Sequence, residues 1–170
     1  DRHRAAAAIV LARRVHLEPD LAEALREEAA PPCVDLRDLP REVALSGQCD
    51  RSRVLELGCA SGGNLIPMAF NLPDAEFVGI DLSGTQVARG RDTIRALNMR
   101  NLSLRHASIL DVTTEWGEFD YIICHGVFSW VEPHVQDRIL WIAHENLSAN
   151  GVAYVSYNTY PGWHMREGVR

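Results

Sequence analysis

The chain has 170 residues, of which 46% are hydrophobic and 24% charged, with a formal net charge of -6. That length and balance fit a soluble globular domain with a full core, and the acidity argues against a dedicated nucleic-acid binder, which would carry a basic face. The longest apolar run, Ala5–Ala12, is far too short to span a bilayer, and Arg13 and Arg14 stand where a signal peptide would need small residues for cleavage.

Cys33, Cys49, Cys59 and Cys124 form no CxxC pair and no zinc-finger spacing with histidine. They read as free thiols in a reducing cytoplasm, with no metal site. Residues 1–50 read as a helical N-terminal extension. Asp1–Leu17 is rich in Ala and Arg, Pro19-Asp20 interrupts it, and Leu21–Ala30 resumes the helical pattern. Pro31-Pro32 stops it, and Asp38-Leu39-Pro40 caps a further short helix through Leu45, closed by Ser46-Gly47.

From residue 51 the pattern alternates between strands and helices. Strands are predicted at Arg53–Leu57, Glu76–Asp81, Leu102–His106, Asp120–His125 and Gly151–Tyr157. Helices are predicted at Gly63–Asn71, with Pro67 near its first turn, at Ser83–Leu97, capped by Ser83, and at His134–Leu147, ended by Asn150-Gly151. Such alternation implies a doubly wound, mostly parallel α/β sheet. Trp163–Arg170 reads as the start of another helix.

Five segments carry chemistry. The first is Val54–Gly63, where a buried strand enters a turn of small residues and then a helix. Small residues admit a ligand close to the backbone, and ligands of open α/β sheets lie beyond the carboxyl ends of the strands. The glycines fall at Gly58, Gly62 and Gly63, so the diphosphate-binding G-x-G-x-x-G is absent. Glu56, two residues before the first glycine, can organise the loop and reach a cationic amino-acid moiety. The second is Phe77–Ser83, where Asp81 closes a strand. A carboxylate there can accept from both hydroxyls of a ribose, or can cap the turn at Ser83. The third is His106–Asp111. Ser108 offers a hydroxyl and Ile109 an apolar contact to an adenine, while Asp111 reads equally as a turn cap.

The fourth segment, Glu118–Trp130, ends a strand at His125 on the ligand side. That histidine can orient a substrate, accept a proton or be purely structural. Phe128 and Trp130 read either as an apolar substrate wall or as core. The fifth, Tyr154–His164, turns at Pro161-Gly162 and places aromatic and amide groups at a strand end, with Tyr157, Asn158 and Tyr160 as substrate-side candidates and His164 a weaker one.

Glu56–Gly62, Asp81, Glu118-Phe119-Asp120 and the Gly151 entry to the fifth strand together resemble class I S-adenosylmethionine (SAM) dependent methyltransferases, with Ala60 replacing the usual middle glycine. Three strings, Leu57–Pro67, His125–Val131 and Ser156–His164, are similar to bacterial methyltransferases that carry a separate regulatory domain, including the outer-membrane-protein lysine methyltransferases. The resemblance implies a Rossmann-like methyltransferase domain over residues 51–170, SAM as cofactor, and a protein or small-molecule methyl acceptor, with a lysine amine among the options. It implies that Glu56, Gly58, Cys59, Ala60, Gly62, Asn64, Asp81, Leu82, Ser108, Ile109 and His125 line the cofactor, with His125 also the catalytic candidate. Phe128, Trp130, Tyr157, Asn158 and Tyr160 then face the acceptor.

Methyltransferases of this class end with two further strands, which are not found before residue 170. The sheet is therefore expected to keep an open edge after its fifth strand. An open edge favours self-association, so a homodimer or aggregation and weak or no activity are expected for the chain alone. A non-catalytic SAM-binding or regulatory module and an NAD-dependent oxidoreductase are the competing readings, the latter requiring the missing diphosphate fingerprint.

Overall fold

The computed structural model describes residues 6–12, as backbone, and 51–158. Six strands form one sheet: β1 Ala6–Ala12, β2 Arg53–Leu57, β3 Glu76–Asp81, β4 Leu102–His106, β5 Phe119–Cys124 and β6 Leu147–Asn158, in the order β1-β6-β5-β2-β3-β4. The strands β2 to β6 pair in parallel, and β1 runs antiparallel to β6. From β2 the chain builds outward through β3 and β4, then returns to the other side of β2 for β5 and β6. The reversal places a crevice at the carboxyl ends of β2 and β5.

Alternation along β2 separates the two halves of the core. Leu55 and Leu57 join Val78, Ile80, Ile122, Ala153 and Val155 under helix α3, Pro133–Glu145. Val54 points to the opposite face, where Phe77, Leu102 and Leu104 pack under helices α1, Leu65–Asn71, and α2, Gly84–Ala96. Pro67 is the third residue of α1, where its missing N–H costs no helical hydrogen bond. Ser83 caps α2 by accepting from the Gln86 amide, as its sequence position predicts.

Three expectations are corrected. Within the helix predicted over Asp1–Leu17, residues Ala6–Ala12 form strand β1. Ile9 and Val10 suit a strand, and the hydrogen-bonding edge of β6 outweighs the local preference of the flanking alanines for helix. The edge of β6 expected to stay open therefore carries β1, and the expectation of a homodimer loses that ground. Asn150-Gly151 does not end a helix: α3 stops at Glu145, and Asn146 caps it while its side chain donates to the carbonyls of Thr113 and Gly117. Asn150 and Gly151 instead lie in β6 where the pairing with β5 shifts register. The predicted helices Leu21–Ala30 and 40–45, together with Cys33, Cys49, Tyr160, His164 and the segment 163–170, lie outside the described residues.

Candidate functional site

The turn after β2 is built by close approach. Gly58 has φ +79, and a Cβ there would sit 2.4 Å from Val127 Cγ2. Its amide and that of Cys59 both donate to the carbonyl of Ile80, at 2.9 Å each. Ala60 takes φ +49, a left-handed conformation that costs a non-glycine residue about 1–2 kcal/mol. Its amide donates to Asp81 Oδ2 at 2.8 Å, which ties the strained turn to the end of β3. Gly62, with φ +79, closes the turn by donating to the Cys59 carbonyl at 2.8 Å and accepts from Ile66 in the first turn of α1.

Glu56 lies beneath this turn and is 4% exposed. Asn64 Nδ2 donates to its Oε1 at 3.1 Å, and its buried Oε2 has no partner among the described residues. Burial pushes its carboxyl up to about 7, opposed by the bond from Asn64. A buried acid with one free oxygen is matched by a cation with N–H donors. Cys59 and Cys124 are buried free thiols, each pushed up to about 12, chiefly by burial and then by the charge of Glu56. They are packing groups in this state and not nucleophiles.

Asp81 fills the capping role at the end of β3. Oδ1 accepts from the Ser83 amide at 2.7 Å and Oδ2 from Ala60, so it shapes two turns at once. Each oxygen retains acceptor capacity for a hydroxyl. Leu82 beside it is 74% exposed, an apolar surface at the mouth of the crevice. His106, which sequence reasoning passed over, bonds the Leu82 carbonyl through Nε2 at 3.1 Å and packs against Gly84. A histidine closing the strand next to β3 was the available signal.

After β4, Ser108 caps the 3-10 turn Ile109–Asp111. Its hydroxyl accepts from Leu110, and Asp111 accepts from the Ser108 amide at 2.8 Å. Asp111 is thus a cap, while Ile109 packs on the core and Leu110 stays exposed. His125 follows β5 and is exposed. Its Nδ1 lies 3.1 Å from Oγ of Ser156, a buried residue of β6 that the sequence did not single out. Phe128 is buried in the core, so it forms no exposed wall, whereas Trp130 is 55% exposed. Tyr157 is half-buried against the core, and the Asn158 amide donates to Ser129 Oγ at 2.7 Å. Val127, Ser129, Ser156 and Asn158 together place the loop after β5 against the turn at Gly58 and the end of β6.

A glycine turn without a diphosphate fingerprint, a buried half-paired acid and an acid at the end of β3 thus meet at the carboxyl ends of the central strands. Residues 54–151 match the family described as methyltransferase domain, and the chain belongs to that family, with the fold of class I SAM-dependent methyltransferases. It is 51% identical over 123 residues to an uncharacterised protein of Rickettsia prowazekii, covering 72% of this chain and 22% of that protein. A second uncharacterised protein of that organism is 44% identical, with 71% of this chain and 48% of the relative covered. PKMT2 from Rickettsia typhi, determined in complex with AdoHcy, superposes with a TM-score of 0.68 at 45% identity, over 71% of this chain and 23% of that one. The chain thus spans between about a fifth and a half of the length of these relatives. The methyl donor of the family is SAM. Among the described residues no helix is long and apolar enough to cross a membrane.

Proposed function

We propose that this chain binds SAM between Glu56, Asp81 and His125 and directs methyl transfer to a lysine amine of a cytoplasmic protein. The observation that carries the cofactor reading is the buried Oε2 of Glu56, without a partner among the described residues, under a turn in which Gly58 has no room for a side chain. Glu56 takes the ammonium of the cofactor's amino-acid group, and the turn Gly58–Gly62, with Cys59 and Ala60 inside it, admits that group close to the backbone. Asp81 accepts from the ribose hydroxyls with its remaining lone pairs, and Leu82, Ser108 and Ile109 flank the adenine. When bound, SAM supplies a methyl group on an already activated sulfonium. What the chain contributes is placement, and holding donor and acceptor in line contributes about 7–11 kcal/mol.

Lysine as acceptor is supported by the likeness to PKMT2 and by the resemblance of the strings at Leu57, His125 and Ser156 to lysine methyltransferases. An amine must reach the site uncharged, and apolar surface such as that of Trp130, in the segment after β5, and Tyr157, near the end of β6, favours the neutral form by desolvation. The buried, unpaired thiols of Cys59 and Cys124 fit a reducing compartment.

The test is transfer of label from methyl-labelled SAM to lysine in a bacterial protein extract, with Asp81→Ala as control. The wild-type chain is expected to label lysine. Asp81→Ala is expected to weaken S-adenosylhomocysteine binding by about 1.5–3 kcal/mol, because hydrogen bonds to a charged group are lost. Label on another residue type, or on small molecules alone, removes lysine as the acceptor. Unchanged affinity in Asp81→Ala removes Asp81 from the cofactor site.

A further inference from the structure

His125 is exposed at the carboxyl end of β5, yet one of its ring nitrogens is held by a group from the interior. Ser156 is 5% exposed, and its Oγ accepts from the Gly126 amide at 2.7 Å and lies 3.1 Å from His125 Nδ1. Gly126 has φ +70 and turns the chain sharply after the histidine, which brings its N–H and the imidazole to the same oxygen. A hydroxyl has one proton to give and two lone pairs. With one lone pair committed to Gly126, its proton has one acceptor among the described residues, His125 Nδ1. If Nδ1 were protonated instead, it would donate to Oγ, and the hydroxyl proton would be left in a buried place without an acceptor.

We propose that Ser156 is a positioning residue: its hydroxyl donates to Nδ1, fixes His125 as the tautomer protonated on Nε2, and so makes the ring a hydrogen-bond donor to the acceptor substrate and not its proton acceptor. The donor N–H suits an oxygen of the substrate, such as a peptide carbonyl beside the methylated side chain. The loop that carries His125 is rigid enough to make this orientation count, since Val127 packs on Gly58 and Ser129 accepts from the Asn158 amide. This inference rests on the placement of His125 in the acceptor site, and the experiment separates the two.

The experiment is nitrogen NMR on the full chain labelled at histidine, at a pH of about 8, above the ordinary histidine range. His125 is expected to show one tautomer, with Nε2 protonated and Nδ1 bare. Ser156→Ala is expected to relax this to the mixture of free histidine and to speed amide exchange at Gly126 about tenfold, and Ser156→Thr to restore both. A protonated Nδ1 in the wild type, or an unchanged spectrum in Ser156→Ala, overturns the proposal. The wild-type spectrum and Ser156→Thr decide the matter even if Ser156→Ala does not fold. His125→Ala separates the readings. Unimpaired methyl transfer in that variant removes His125 from the acceptor site, while the tautomer result still reports on Ser156.

Discussion

Glu56→Gln is expected to stabilise the ligand-free chain and to weaken cofactor binding at the same time. Burial raises the Glu56 carboxyl from 4.5 to about 7, with the Asn64 bond pulling the other way. Between those values the unfolded chain has already lost its proton while the folded chain keeps it. The folded state therefore binds more protons, and stability falls as pH rises through that window. The full cost of charging the buried acid is on the order of 3 kcal/mol and is reached above pH of about 7. Glutamine carries no such charge, so in urea titrations the variant should gain on the wild type as pH rises from about 5 to 8, and the two should converge in acid. Binding should move the opposite way. The partnerless Oε2 is the group offered to a cation, and its replacement by an amide should cost about 1.5–3 kcal/mol of S-adenosylhomocysteine affinity. A stability difference that is flat with pH, together with unchanged affinity, would remove Glu56 from the site.

The second large effect falls on a glycine inside a helix. Gly90 lies in the 13-residue α2 and is buried against the turn after β2. A Cβ there would stand 2.3 Å from Leu104 Cδ1 and 2.5 Å from the Ser61 carbonyl oxygen. The leucine can rotate, but the carbonyl belongs to the backbone of the turn after β2. Gly90→Ala must therefore push α2 away from that turn, at about 1–3 kcal/mol for overpacking. On an exposed helix the same change would add about 0.5–1 kcal/mol of stability. A lowered unfolding midpoint together with weakened S-adenosylhomocysteine binding is the expected pair. A gain in stability would show that α2 and the turn are not packed as described.

Much of this site was legible because its strands are short and their chemistry is local. Glu76–Asp81 reads as a strand from its Val and Ile, its end is marked by Ser83, and Asp81 follows as the residue at that end. Glu56 was legible from its distance to Gly58. Its missing second partner was not, because that depends on what the fold buries around it. Ala60 shows the same limit: an alanine gives no sign of a positive φ until the amide is seen bound to Asp81.

What could not be read depends on contacts distant in sequence. Ala6–Ala12 has a composition that suits helix, and it becomes a strand by pairing with residues 152–158 at the other end of the described chain. Ser156 looks like an ordinary strand serine until β6 lies beside the loop at His125. Phe128 and Trp130, two residues apart, read alike as apolar wall or core, and packing under α3 buries the first and leaves the second exposed.

On the function proposed above, the crevice between Glu56 and Asp81 takes an adenosine ligand bearing an amino-acid cation and no diphosphate. Calorimetric titration of the chain with S-adenosylhomocysteine and, separately, with NADH distinguishes the two ligand classes. One-to-one binding of S-adenosylhomocysteine that tightens as pH rises from about 6 to 8, as Glu56 gives up its proton, is expected, with no binding of NADH. Tight NADH binding without S-adenosylhomocysteine binding would contradict it.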